Sequence, residues 1–234
     1  MLPSPESLES VTKALRSGST DILASLLQLA TFGNDEARSL AARSTLHRLA
    51  VGGDSSVLTA LVASGEVVTW FVTCVMEVGG ESQLEAVTSL AAISKQPEGP
   101  GAIVAAGGVP ALIAYGGKAV MKAGADAGAS VGSASVQAVA GVLARLTAPP
   151  HTEAVGDGGG VPVLVAGLCD GDVNEVLTRA AALGLLVGTA PNSDPNPNPN
   201  PNPKPNPNPD PNPITLTLTL TLTLSPTPTL TPTL

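Results

Sequence analysis

Two short motifs recur along this chain in nearly the same register, and a chain built that way folds as a row of like helical or strand units. AAGGVPALIA (105–114) returns as GGGVPVLVAG (158–167), with a degenerate copy, ASGEVVTWFV, at 63–72. Aligning Gly65, Gly107 and Gly159 gives separations of 42 and 52 residues. The second motif is a pair of aliphatic residues three apart: Leu46/Leu49, Leu90/Ile93, Leu143/Leu146 and Leu183/Leu186. Those pairs follow one another at 44, 53 and 40 residues, so both motifs stretch in the same place.

The stretch has a visible source in GGKAVMKAGADAGASVGSAS (116–135). Each glycine in a helix interior costs roughly 1 kcal/mol relative to alanine. Most of that segment is therefore expected to be loop, with an insertion spanning 116–133.

Within a unit the pattern is helical. In NDEARSLAARSTLHRLA (34–50), Ala42, Leu46 and Leu49 form one apolar stripe at a 3.6-residue period. Asn34 or Asp35 can cap that helix, because a short polar side chain accepts from the free N–H groups of the first turn. Asp172 with Glu175 has the spacing of a capping box ahead of a last helix. In the Gly-Gly-Val-Pro segments, glycine ends one helix and Pro110 or Pro162 enters the first turn of the next, where a missing N–H costs nothing.

Proline divides the chain. Of 22 prolines, 8 lie in residues 1–190 and 14 in 191–234, while all 25 glycines fall in the first part. The expectation is a folded body over 1–190 and a disordered, low-complexity tail over 191–234. The tail alternates Pro-Asn and then Thr-Leu, and proline at every second residue prevents a helix. The DNA repeat CCCTAA encodes Pro-Asn in one frame and Thr-Leu in another, with Ile214 at the change of frame. Translated repeat DNA is the favoured origin; a selected Pro-rich linker is the competing one.

A net charge of −8 with 11 Lys+Arg leaves no basic face for many phosphates, so nucleic acid is not an expected partner. The most apolar window, residues 57–76, is broken at Ser64, Gly65 and Glu66, which predicts two short helices and no membrane span. The start, MLPSPESLES, lacks a basic region followed by an apolar run, so no secretory signal is expected. With Cys74 and Cys169 far apart, this points to the cytoplasm, the nucleus also being compatible.

The unit length near 42, the Gly-Gly-Val-Pro turns at Gly107–Pro110 and Gly159–Pro162, and the Leu-x-x-Leu endings together resemble the armadillo-repeat family. The resemblance implies an all-α, right-handed α-α superhelix of about four repeats, near 5–50, 54–95, 99–148 and 151–189, whose third helices line a concave groove. It also implies a non-catalytic interaction module or scaffold that binds a protein segment there. The alternative is an accessory or substrate-binding fragment of a larger assembly, such as a ubiquitin ligase. In peptide-binding members of the family, an Asn ladder with Trp one turn earlier holds the peptide backbone. The ladder positions here are Arg48, Ala92, Arg145 and Leu185, and the Trp positions are Ser44, Thr88, Gly141 and Ala181. The nuclear-import array is thus absent. What the resemblance leaves in the groove is Arg43, His47, Arg48, Arg145 and Arg179, a basic strip suited to an acidic segment because guanidinium forks pair with carboxylates; solvated helix-face charges are the plainer reading.

No catalytic, cofactor or metal constellation stands out. His47 and His151 are the only histidines, one on a helix and one in a turn, and both read as surface residues. Gly116-Gly117-Lys118 fails as a phosphate loop, since Ala119 replaces the Ser or Thr and Leu112 the earlier glycine. Gly156–Gly160 follows no strand and carries Val161 at the final glycine position of a dinucleotide fingerprint. Cys74 and Cys169 read as small buried thiols.

Overall fold

The computed structural model describes residues 5–77, 81–125, 130–168 and 173–188, and among them it contains twelve α-helices and no strand. They are α1 (Pro5–Arg16), α2 (Asp21–Phe32), α3 (Glu36–Gly52), α4 (Ser55–Ala63), α5 (Gly65–Glu77) and α6 (Glu81–Ile93). There follow α7 (Gly99–Ala105), α8 (Gly108–Ala125), α9 (Ser130–Leu146), α10 (Thr152–Asp157), α11 (Val161–Ala166) and α12 (Val173–Gly188). The 191–234 tail, with both of its tracts, lies outside the described residues, as do Cys169 and Asp172.

Every third helix is of one kind. α3 packs on α6, α6 on α9 and α9 on α12, while α2, α5, α8 and α11 form a second such row. The result is a helical repeat-like arrangement. The sequence motif explains the first row, because Leu46, Leu49, Leu90, Ile93, Leu143, Leu146 and Leu186 are all buried in the seams. Each fully buried Leu or Ile contributes about 1.5–3 kcal/mol.

Caps and turns set where the helices start and stop. Asp35, rather than Asn34, caps α3, its carboxylate accepting from the Ala37 N–H at 3.0 Å. Asp54 caps α4 through the Ser56 and Val57 N–H groups, both at 3.1 Å, and also takes a 2.7 Å bond from Arg16 Nε at the end of α1. Gly18, Gly107 and Gly159 stand two residues past α1, α7 and α10 with φ of +87°, +74° and +80°. A side chain at that φ crowds the following carbonyl, so glycine is the residue that makes this turn without strain. Gly65 does not share the conformation. It opens α5 directly after Ser64, because the second set connects its first two helices by a single residue. The break at Ser64 bends the apolar 57–76 window by 85°. Among the described residues no single helix is long and apolar enough to cross a membrane.

One expectation fails. The 116–133 insertion is mostly helix: α8 continues to Ala125, α9 begins at Ser130, and only 126–129 lie outside the described residues. Packing outweighs propensity here. A methyl on Gly116 would come within 2.8 Å of Val163 Cγ1 and 3.0 Å of Val139 Cγ1, so the bare backbone lets α8 lie close to α9 and α11. Ala119 is buried on the same side of α8 one turn on. The close approach offsets the glycine cost, and the added length goes into two helices instead of a loop.

Candidate binding groove

Residues four apart on a helix share a face. Counting back and forward from the buried pairs, α3 presents Leu40, Ser44 and Arg48, and α6 presents Leu84, Thr88 and Ala92. The matching positions are Gln137, Gly141 and Arg145 on α9, and Leu177, Ala181 and Leu185 on α12. All twelve are exposed or half-buried, while the pairs that flank them point into the core. Because α3, α6, α9 and α12 pack in succession, these positions make three rows running across the helices.

The rows are less basic than the sequence suggests. The first carries Leu40, Leu84, Gln137 and Leu177; the two end leucines are 60% and 61% exposed. The middle row holds only small side chains. The third alternates Arg48, Ala92, Arg145 and Leu185.

Of the five candidate residues, the structure leaves Arg48 the most open. It is exposed beside a cleft of about 300 Å³ that it shares with His47 on α3 and with Leu8 and Thr12 of α1. Arg43 donates through Nε to the Ala30 carbonyl at 3.1 Å and ties α3 to α2. Arg145 folds back on its own helix, with Nη1 2.8 Å from the Gly141 carbonyl. His47 is half-buried, and its Nδ1 meets Ser89 Oγ of α6 at 2.9 Å. It lies in the wall between α3 and α6, not free at the surface.

Arg179 is the clearest departure from the sequence reading. It is 1% exposed and does not line an open surface. Its Nη1 donates to the Gly167 carbonyl at 2.6 Å and its Nη2 to Glu175 Oε2 at 2.9 Å, with a longer bond of 3.3 Å to the Gln137 carbonyl on α9. Gly167 packs too tightly against Ala140 to bear a side chain, leaving its carbonyl for the guanidinium. The arginine thus holds α9, α12 and the end of α11 together. A buried charge paired in this way is a structural tie, and removing it leaves polar groups without partners.

A residue that sequence reasoning passed over does border these rows. Trp70 on α5 packs against Phe71 with ring centroids 5.1 Å apart and a tilt of 56°. It walls a pocket of about 180 Å³ together with Leu40, Arg43 and His47 of α3 and Glu85 of α6. The available signal was that it is the sole tryptophan in a chain with 2% aromatics. Cys74, buried, also lines that pocket.

His151 sits elsewhere, at the start of α10, beside a cleft of about 550 Å³ shared with Glu98 and Pro100. Among the described residues there is no group of three His, Cys, Asp or Glu side chains placed to hold a metal ion. Gly116–Lys118 lies inside α8 and Gly156–Gly160 spans the α10–α11 turn, so neither forms a strand-to-helix phosphate loop. No protein-family model matches this chain, and no curated protein sequence matches it.

Proposed function

We propose that α1–α12 form four armadillo-type repeats wound as a right-handed superhelix, and that the protein is a non-catalytic interaction module. A partner segment would lie across α3, α6, α9 and α12. The observation that carries this reading is the set of three accessible rows at matching positions on successive third helices, flanked by buried pairs. Such rows cost a folding chain apolar exposure at Leu40 and Leu177 without any gain inside the fold.

The rows also indicate the chemistry of the segment. Leucines at the edge and the Trp70 pocket suit aliphatic or aromatic side chains, while the small middle row lets a backbone approach closely. Arg48 is the open cation for one carboxylate or phosphate. Apolar anchors with a single charged contact replace the basic strip as the basis of recognition.

The test is capture by the immobilised full chain from cytosolic extract, with bound proteins identified and then re-bound as purified segments. Leu40→Asp and Leu177→Asp should each weaken the purified segment at least about tenfold, equivalent to about 1.4 kcal/mol. Arg48→Glu should weaken it in a salt-dependent way. Thr59→Asp, at an exposed position of α4, should change nothing. A partner lost with Thr59→Asp but retained by both leucine variants would remove the groove from consideration.

A further inference from the structure

The seam between α8–α9 and α10–α12 shows what one set of helices needs from the next. A methyl on Gly158 would come within 2.8 Å of Ile113 Cδ1 and 3.5 Å of Val109 Cγ1. The α10–α11 turn therefore sits directly on those two side chains of α8, and Val109 is only 4% exposed. On α9, Ala140 and Ala144 are buried, and Leu143 is fully so.

The last set carries small or aliphatic residues in the same places. Val161 and Val165 stand two and six residues past Gly159, as Val109 and Ile113 stand past Gly107. They are 39% and 50% exposed. On α12, Ala180 and Gly184 occupy the positions of Ala140 and Ala144 and are exposed, and Leu183 is half-buried where Leu143 is fully buried. An end unit that terminates a helical row presents a polar outer face. This one presents an interior face.

We propose that this face is a stacking surface for the first set of a second copy of the chain, joined head to tail. Three features of α1–α2 argue for that occupant. Its turn, Ser17-Gly18-Ser19, has the same left-handed glycine as the α10–α11 turn that covers α8. Ser17 and Ser19 stand where that turn has Gly158 and Gly160, and both are exposed. A Cβ at 158 would meet both Ile113 Cδ1 at 2.8 Å and the Ala154 carbonyl at 2.9 Å, whereas Val165, in the place of Ile113, has no δ-carbon to meet a serine side chain. Finally, α2 packs on α5 alone among the second helices and leaves Leu29 and Phe32 exposed, so the row of second helices can continue across the join. Such a contact is heterologous: the two surfaces differ, and repetition builds a ring or an open chain of copies.

The experiment is sedimentation velocity on the full chain from about 1 μM to about 100 μM. The wild type should gain mass with concentration, beyond a dimer. Val165→Lys blocks one surface and Ser17→Lys the other, so each alone should stay monomeric with unchanged helical circular dichroism. Mixed in equal amounts, they should give the mass of two chains and go no further, since one good surface remains on each. If Val165→Lys fails to fold, Val161→Lys on the same helix replaces it. A wild type of one mass at every concentration, as when residues past 188 cover the face within the same copy, would overturn the proposal. So would a mixture that stays monomeric, or a Ser17→Lys chain that assembles like the wild type.

Discussion

His47 of α3 and Ser89 of α6, 42 residues apart, meet at 2.9 Å between Nδ1 and Oγ. Ser89 spends its one proton on the Glu85 carbonyl, 2.9 Å away in its own helix. Its oxygen therefore accepts, and His47 is the donor through Nδ1–H. Nitrogen-15 spectra of the imidazole should show a proton on Nδ1. Ser89→Ala, which leaves that N–H facing a methyl, should cost about 1 kcal/mol in chemical denaturation. An Nε2–H tautomer would mean that the two helices are not joined by this bond.

The buried pairs and the exposed row should respond oppositely to the same truncation. Leu143 is fully buried, and Leu143→Ala should cost about 2–5 kcal/mol through lost transfer energy and the cavity left behind. Leu177, at 61% exposure, should lose less than about 0.5 kcal/mol as Leu177→Ala. Equal midpoint shifts would show that α9 and α12 are in the wrong register.

Adjacent glycines in α8 provide a second contrast. Gly117 has nothing within 4 Å of where a methyl would stand, so Gly117→Ala should stabilise by roughly 0.5–1 kcal/mol. Gly116→Ala gains the same propensity but drives a methyl into Val163 and Val139, and should destabilise by about 1–3 kcal/mol. If both substitutions stabilise, 116–125 does not pack as a helix against α9 and α11.

Asp54 carries the pH dependence that can be read directly. The Ser56 hydroxyl, 2.6 Å away, then the Val57 N–H and Arg16, hold its carboxyl at about 2, below the ordinary value of 3.8. Its charged form is favoured by the fold, so the contribution is fully present above about pH 4 and is lost as pH falls through about 2. The stability gap between wild type and Asp54→Ala should stay constant from about pH 5 to 7 and narrow below about pH 4. A carboxyl carbon titrating near 3.8 in the folded protein would show that the cap and the Arg16 pair are not formed.

Much of the fold was written locally. The buried pairs announced the third helices because a 3.6-residue stripe is a property of one segment and its solvent. Gly107 and Gly159 announced their turns because a left-handed φ is forbidden by the residue's own side chain, whatever surrounds it. Gly18 makes the same turn, but in the first set, SGST carries no Gly-Gly-Val-Pro context to mark it.

Tertiary structure decided the rest, and except for Arg145, which folds onto its own helix, the deciding atom came from another element. Gly116 reads as a helix breaker until Val139 and Val163 arrive beside it. Arg179 reads as a surface cation until the Gly167 and Gln137 carbonyls close around it. Arg43, His47 and Arg145 likewise read as an open basic strip, and the fold turns them onto Ala30, Ser89 and Gly141. Sequence by itself determined the period, the helices outside 116–133 and the turns at Gly107 and Gly159, since these depend on neighbours along the chain. Which charges remained in water, and which apolar residues remained uncovered, depended on packing between residues tens of positions apart, where no local pattern reports the partner.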